Sequence, residues 1–250
     1  MRNIKLTIEY DGTPFSGWQR QSRRPSVQAE IERAVQETTG RRTALIGAGR
    51  TDAGVHALKQ VANFKTDGRL EIERIPAALN AHLPPTITVL SAEEVPLPFH
   101  ARYSATGRAY RYVVLNRRSP SAILRNHAYH VTAPLDLDAM AAALEPMRGR
   151  HRFDAFRGVG SREATTICDL RAAEIARRED LVIFTFEADR FLRHMVRMIV
   201  GTLLRVGMGK LPPAAIAEFL EGGDNQKTGP TVPARGLFLV KVTYPAAESP

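Results

Sequence analysis

Apolar residues at Ile4, Leu6, Ile8 and Tyr10 alternate with Lys5, Thr7 and Glu9. A period of two over that length predicts a half-buried strand. A polar, turn-rich loop follows at 11–25, and Ser26 stands where a helix N-cap belongs. Val27, Ile31, Ala34, Val35 and Thr38 then recur at helical spacing, and Gly40 is placed to end the helix. Short apolar strands are predicted at 43–47 and 58–65. A helix is predicted at 75–83, halted by Pro84-Pro85, and a strand at 86–95.

The second half reads in a similar order. A strand at 108–115 puts Tyr110, Tyr112 and Val114 on one side. A helix is predicted at 136–148, then strands at 166–176 and 181–188 joined by the charged turn 177–180. A long helix at 190–206, a shorter one at 213–221 and a closing strand at 237–244 complete the chain. The pattern predicts an α+β protein of two ferredoxin-like or RRM-like βαββαβ halves, with antiparallel sheets and a central positively charged cleft. The halves divide as 1–104 and 105–250, with the join near 96–105.

Composition narrows the class. Of 250 residues, 44% are hydrophobic and 24% charged, which excludes a disordered chain. The single cysteine, Cys168, cannot form an internal disulfide, as suits a reducing compartment. The first ten residues hold no apolar run of the signal-peptide kind. The most apolar stretch, 195–206, is broken by Arg197 and Arg205 and falls short of the roughly 20 residues of a membrane span. The expectation is a cytoplasmic protein with no membrane partner. The formal net charge of +9 points to a polyanion. Only six of the 35 basic residues are lysines, so a genome rich in arginine codons accounts for the excess equally well.

The stretch that carries chemistry is Gly47-Ala48-Gly49-Arg50-Thr51-Asp52-Ala53-Gly54-Val55-His56. A dinucleotide fingerprint fails, because Asp52 stands at the third glycine and no helix opens. A P-loop fails as well, because Val55-His56 stand where Lys-Ser/Thr is required. There remains a glycine-rich loop with one carboxylate and one arginine between two strands. A carboxylate beside a guanidinium stays ionised and can act as a nucleophile or a base. A surface hairpin in which Asp52 caps a turn and pairs with Arg50 satisfies the same pattern. No His-Glu-x-x-His or Gly-x-Ser-x-Gly pattern exists, and His127 and His130 make only a weak pair, so neither a metal site nor serine hydrolase chemistry is expected.

The eight residues Gly49-Arg50-Thr51-Asp52-Ala53-Gly54-Val55-His56 resemble the signature of the tRNA pseudouridine synthase A family. Further matches are Tyr10-Asp11-Gly12-Thr13, Phe15, Gly17-Trp18-Gln19-Arg20-Gln21, Val27-Gln28 and Leu79-Asn80. So are Phe99-His100-Ala101-Arg102-Tyr103-Ser104-Ala105, Arg108-Ala109-Tyr110-Arg111-Tyr112, Phe191-Leu192-Arg193-His194-Met195-Val196-Arg197 and Gly236-Leu237. The resemblance implies isomerisation of uridine to pseudouridine in the anticodon stem-loop of tRNA, at positions 38, 39 and 40, by a cofactor-independent homodimer. It implies that Asp52 is the catalytic carboxylate, that Tyr110 stacks on the target base, and that Arg50 fills the gap left by the flipped nucleotide.

Arg197 is the expected partner of Asp52. On the predicted helix it lies four residues from Arg193, beside an apolar side made by Phe191, Leu192, Met195, Val196, Ile199, Val200, Leu203 and Leu204. From pattern alone, a solvated basic face explains these arginines as well. Arg193, Arg20, Arg23 and Arg24 are expected to bind substrate, with Arg41-Arg42 and Arg117-Arg118 as further basic clusters. The sequence departs from the family pattern at Arg152, where an acid is usual, and at Asn225 after Asp224, where arginine is common. A non-catalytic RNA-binding protein on duplicated halves, or a phosphate enzyme using the glycine loop, would share the basic loops but place no requirement on Asp52.

Overall fold

The alternating start of the chain forms β1 (Arg2–Tyr10), whose Ile4, Leu6 and Ile8 are fully buried. The structure is a computed structural model and describes residues 1–158, 160, 164–222 and 227–245. The chain divides into two compact units, Met1–Thr106 with Phe238–Pro250, and Gly107–Leu237.

In the first unit, β1 is followed by α1 (Val27–Thr39), β2 (Ile46–Gly47), β3 (His56–Thr66), α2 (Ile75–Asn80) and β4 (Ile87–Val95). The last strand of the chain, β10 (Leu237–Thr243) in whole-chain numbering, joins this unit. β1 lies between β3 and β4 and is antiparallel to both. The other edge of β3 is shared. Near one end it pairs antiparallel with β2 (Ile46↔Asn63, Gly47↔Ala62); near the other it pairs parallel with β10 (Phe238↔His56, Leu239↔Ala57). α1 buries Val27, Ile31, Ala34 and Val35, and Gly40 ends it in the left-handed conformation with φ 72°, as the pattern requires.

At three places this unit departs from the local pattern. Ser26 stands at the N-cap position, but its hydroxyl makes no capping bond and is buried without a hydrogen-bond partner. The strand expected at 43–47 is only two residues long. Leu45 instead bonds to α1 side chains: its N–H donates to Glu32 Oε1 (3.1 Å) and its carbonyl accepts from Gln28 Nε2 (2.9 Å). The helix expected at 75–83 stops at Asn80, whose amide exchanges two bonds with the Val89 backbone (2.7 and 3.0 Å).

The second unit contains β5 (Gly107–Asn116), β6 (Tyr129–Val131), α3 (Leu137–Leu144), β7 (Gly149–Arg152), β8 (Ile167–Arg178), β9 (Leu181–Ala188), α4 (Met195–Gly207) and α5 (Ala215–Leu220). β5, β9, β8 and β7 pair antiparallel in that order, and β6 adds in parallel at the end of β5. Tyr112, Phe184, Phe186, Met140, Ile199 and Leu203 are buried in its core. β6 and β7 were not legible as strands, so this unit is more elaborate than a βαββαβ repeat.

α3 is capped by Asp136, whose Oδ1 accepts from Ala139 N–H (2.9 Å). It ends before Glu145-Pro146 rather than at 148. α4 begins at Met195, not at 190, because His194 has φ 62°. A left-handed residue cannot sit inside a right-handed helix. The closing strand was expected in the second half; its parallel pairing to β3 puts it with the first unit. Both units remain α+β with mostly antiparallel sheets.

Candidate active site

Asp52 lies in the loop between β2 and β3, half-buried between the buried Thr51 and Val55. Almost every residue around it is fixed by a contact from another part of the first unit. The Thr51 hydroxyl lies 2.8 Å from the Tyr10 hydroxyl at the end of β1. The Thr51 carbonyl accepts from Trp18 N–H (3.1 Å), and Gly54 N–H donates to the Phe15 carbonyl (3.4 Å). Asp52 itself opens a tight turn: its carbonyl accepts from Val55 N–H (3.1 Å), with Gly54 at φ 77° in the third position. That conformation is open to glycine and costly for other residues. Upstream, Ala48 N–H donates to the Val61 carbonyl, and Gln60 Nε2 donates to the Gly49 carbonyl (3.0 Å).

The loop after β1 makes this clamp by coming within backbone contact. A Cβ on Gly12 would stand 2.1 Å from the Val55 carbonyl oxygen, and one on Gly17, which has φ 98°, would stand 2.6 Å from that of Thr51. A Cβ on Gly47 would strike the Trp18 indole. His56 closes the other side. Its Nδ1 accepts the Gly12 N–H (3.1 Å), and its ring stacks on Phe238 of β10 (4.7 Å, 22°). Asp11 Oδ1 is also 3.1 Å from that nitrogen, but the Gly12 bond already uses its lone pair, and Oδ1 accepts from both the N–H and the hydroxyl of Thr13. A half-buried carboxylate on a pinned backbone suits a nucleophile or a general base, since catalytic groups need fixed geometry. Arg50, two residues before it, is exposed.

Tyr110, Arg193 and Arg197 belong to the second unit. Tyr110 is half-buried on β5, and the Phe191 ring meets it edge-on at 5.1 Å. That edge-on contact is hidden in the sequence, because Phe191 looks like one more apolar position of a helix. Arg197 is half-buried in the first turns of α4, and its Nε donates to the Val232 carbonyl (2.7 Å). The segment carrying Val232 rests directly on the helix. A Cβ on Gly201 would come within 1.9 Å of the Pro230 carbonyl oxygen, and the buried Thr202 hydroxyl accepts from Gly229 N–H (2.9 Å).

Burial pushes the Tyr112 phenol far above its ordinary value, and the nearby positive charges of Arg197 and Arg235 oppose part of that rise. The phenol stays protonated and donates to the Pro233 carbonyl (2.7 Å). Arg193 is exposed and lies before α4, so the expected four-residue stagger of Arg193 and Arg197 on one helix is not present. The Arg193 carbonyl accepts from Gly158 N–H (2.9 Å) instead.

Arg20, Arg23 and Arg24 are all exposed in the loop after β1. Arg20 is paired with Glu32 (2.8 Å), a carboxylate largely covered by its partners. Of the two departures, Arg152 on β7 pairs with Asp154 (2.9 Å), and Asn225 lies outside the described residues.

Comparisons with known proteins place the whole chain rather than single residues. A profile of the family described as tRNA pseudouridine synthase matches residues 6–104 and 143–245. The chain is 46% identical over 244 residues to the tRNA pseudouridine synthase A of Acetivibrio thermocellus, covering 98% of this chain and all of that one. It is 46% identical over 249 residues to that of Methylobacterium radiotolerans, covering 98% of each. It is 45% identical over 244 residues to that of Caldicellulosiruptor bescii. With the family profile spanning most of the chain and near-half identity to relatives along their whole length, the chain belongs to the tRNA pseudouridine synthase family.

Proposed function

We propose that the chain converts uridine to pseudouridine in the anticodon stem-loop of tRNA, at positions 38, 39 and 40, with Asp52 as the catalytic carboxylate and without a cofactor. Membership of the family makes it an isomerase acting on tRNA uridine. In that reaction the N1–C1′ bond breaks, the uracil turns, and C5 bonds to C1′. The C5 proton is released and N1 takes one up, so atoms balance and nothing is oxidised. The observation that carries the assignment is the clamped Arg50-Thr51-Asp52 loop, in which bonds from Tyr10, Trp18 and Phe15 fix the backbone on both sides of a half-buried carboxylate.

Asp52 can add to C6 of uracil, attack C1′, or take the 2′ proton; each route needs the ionised form. Arg197 is the cation assigned to keep it so. Tyr110, met edge-on by Phe191, replaces the stacking that the flipped base loses. Arg50 fills the space the base leaves. Arg193, Arg20, Arg23 and Arg24 take phosphates, which position an RNA without reading its sequence. The enzyme works in the cytoplasm as a homodimer, its N-terminal half (1–104) carrying Asp52 and its C-terminal half (105–250) carrying Tyr110 and Arg197.

Tritium release from tRNA labelled at C5 of uridine tests the reading. Asp52→Asn is expected to abolish release while keeping tRNA affinity within a few-fold of the original. Release that persists in Asp52→Asn would remove Asp52 from the chemistry.

A further inference from the structure

One motif plays no part in the reaction as described: the turn Phe99-His100-Ala101-Arg102-Tyr103-Ser104. Its anchoring is unusually polar for the interior of a sheet. Asn3 on β1 and Asn63 on β3 are 0% and 1% exposed, and a buried amide is costly unless its bonds are made. Both are devoted to this turn. Asn3 Nδ2 donates to the carbonyls of Pro96 (3.1 Å) and Phe99 (2.9 Å). Asn63 Oδ1 accepts from Ala101 N–H (2.9 Å), and its Nδ2 ties back to Asn3 Oδ1 (2.9 Å). The Tyr244 hydroxyl donates to the Ala101 carbonyl (2.7 Å), and the Tyr244 ring packs on Phe99 at 5.1 Å. Within the turn, His100 Nδ1 faces the amides of Arg102 and Tyr103 (3.2 and 3.3 Å), and Ser104 N–H donates to the His100 carbonyl (2.9 Å).

This well-fixed turn holds an aromatic ring out into water. Tyr103 is 76% exposed. Its ring leans on the His100 imidazole (4.3 Å, 31°), and the Arg102 guanidinium lies 5.5 Å from its centroid. The segment 97–106 contains an arginine and a histidine but no acid. An exposed ring beside a cation, on a rigid support, in a chain of net charge +9, has the features of a stacking platform for nucleic acid: every base has a π-face, and the cation serves the phosphate beside it. The reading as an isolated exposed apolar side chain leaves the two buried asparagines under it unexplained.

We infer that Tyr103, with Arg102 at its side, is a stacking site for an unpaired nucleobase of the bound tRNA, separate from the uridine being isomerised. The inference rests on the reading of the chain as a tRNA-modifying enzyme. Stacking on an exposed ring is sequence-tolerant, so Tyr103 contributes grip and not choice of base.

The test uses the full chain, a tRNA transcript and the anticodon stem-loop RNA alone, with binding and tritium release measured on each variant. Tyr103→Leu keeps bulk and apolarity but loses the π-face. It is expected to weaken binding about five- to a hundred-fold, the span measured when a stacking aromatic is removed. The loss should fall on KM rather than kcat. Tyr103→Phe restores the ring and should recover affinity. Four results would overturn the inference: binding by Tyr103→Leu equal to the original; failure of Tyr103→Phe to recover; a loss confined to kcat; or a shift of Tyr103→Leu in sedimentation, which would assign the ring to contact with a second copy. Absence of tritium release from the unsubstituted protein would instead defeat the functional reading itself, so the two failures are distinguishable.

Discussion

The hydroxyls of Tyr10 and Thr51 lie 2.8 Å apart, both residues buried, one position before Asp52. The pair joins the end of β1 to the loop that presents the carboxylate. Removing either hydroxyl breaks this buried bond, at a cost of about 1–3 kcal/mol. Tyr10→Phe and Thr51→Val are each expected to lower the urea midpoint by that order. The double variant should cost less than the sum, because both single variants lose the same bond. A double-mutant cycle measures the coupling, and strictly additive losses would show that the two groups do not act together. Release activity should fall in both single variants, since the Thr51 backbone continues directly into Asp52.

Gly12 carries a sharper expectation. A Cβ there stands 2.1 Å from a backbone carbonyl oxygen, and no flexible side-chain end can move aside to admit it. Gly12→Ala must push the loop after β1 away from Val55 and so loosen the Asp52 turn. Overpacking of this kind costs about 1–3 kcal/mol, and the loss should appear as a lower thermal midpoint with reduced activity. Gly49→Ala is the control, because nothing lies within 4 Å of the Cβ it would add. It should melt within about 0.5 kcal/mol of the parent, the usual range for an unobstructed surface change. Equal melting shifts in the two variants would contradict the close-approach account.

The contrast between these glycines shows what the sequence disclosed. The alternation of Ile4, Leu6 and Ile8 and the helical spacing of Val27, Ile31 and Val35 are local signals, and both elements lie where those signals put them. The Arg50-Thr51-Asp52 loop was legible as the signature of the family to which the chain belongs. That Gly12 and Gly17 are small because another backbone passes over them was not, since the contact joins residues about forty positions apart. The start of α4 lies later than its apolar period predicts, for a related reason. Phe191, Leu192 and Met195 continue the apolar period of the helix, and nothing in the residue names reveals that His194 turns left-handed. Phe191 is in fact placed against Tyr110 rather than on a helix face. The site of β10 depends on a parallel pairing that periodicity cannot reveal.

Arg197 is held by a carbonyl that Gly201 brings within reach. Gly201→Ala adds a Cβ 1.9 Å from the Pro230 carbonyl oxygen, which forces the segment around Val232 off α4. Arg197 Nε then loses its acceptor. Activity is expected to fall although no charge has changed, and the thermal midpoint should fall by the equivalent of about 1–3 kcal/mol. Arg197→Lys tests the same contact from the other side. Lysine keeps the charge but not the planar fork that lets one nitrogen hold Val232 while the others face elsewhere. Its kcat should drop while its circular dichroism spectrum stays that of the parent. A fully active Arg197→Lys would reduce Arg197 to a bare charge.

Asp154 and Arg152 give the pH dependence its sign. Burial alone would push the Asp154 carboxyl up, but bonds from Arg152 and Thr166 and the charges of Arg152 and Arg157 outweigh it and hold the group below the usual carboxylate value. A carboxyl depressed in the folded state stabilises the fold above its unfolded value, about 3.9, and loses that contribution as pH falls through the lower folded value. Arg152 is 71% exposed, so its share is screened and modest. Arg152→Ala should move the Asp154 titration upward in an NMR experiment on the carboxyl carbon, and should begin acid destabilisation at a higher pH than in the parent. Arg152→Glu restores the acid usual in the family at this position. It sets a second negative charge beside Asp154, so the titration should rise further than with alanine. Unless a compensating cation moves in, the order parent, alanine, glutamate must hold in both measurements. An unmoved Asp154 in Arg152→Glu would show that Thr166 and Arg157, not the 2.9 Å pair, keep the carboxyl low.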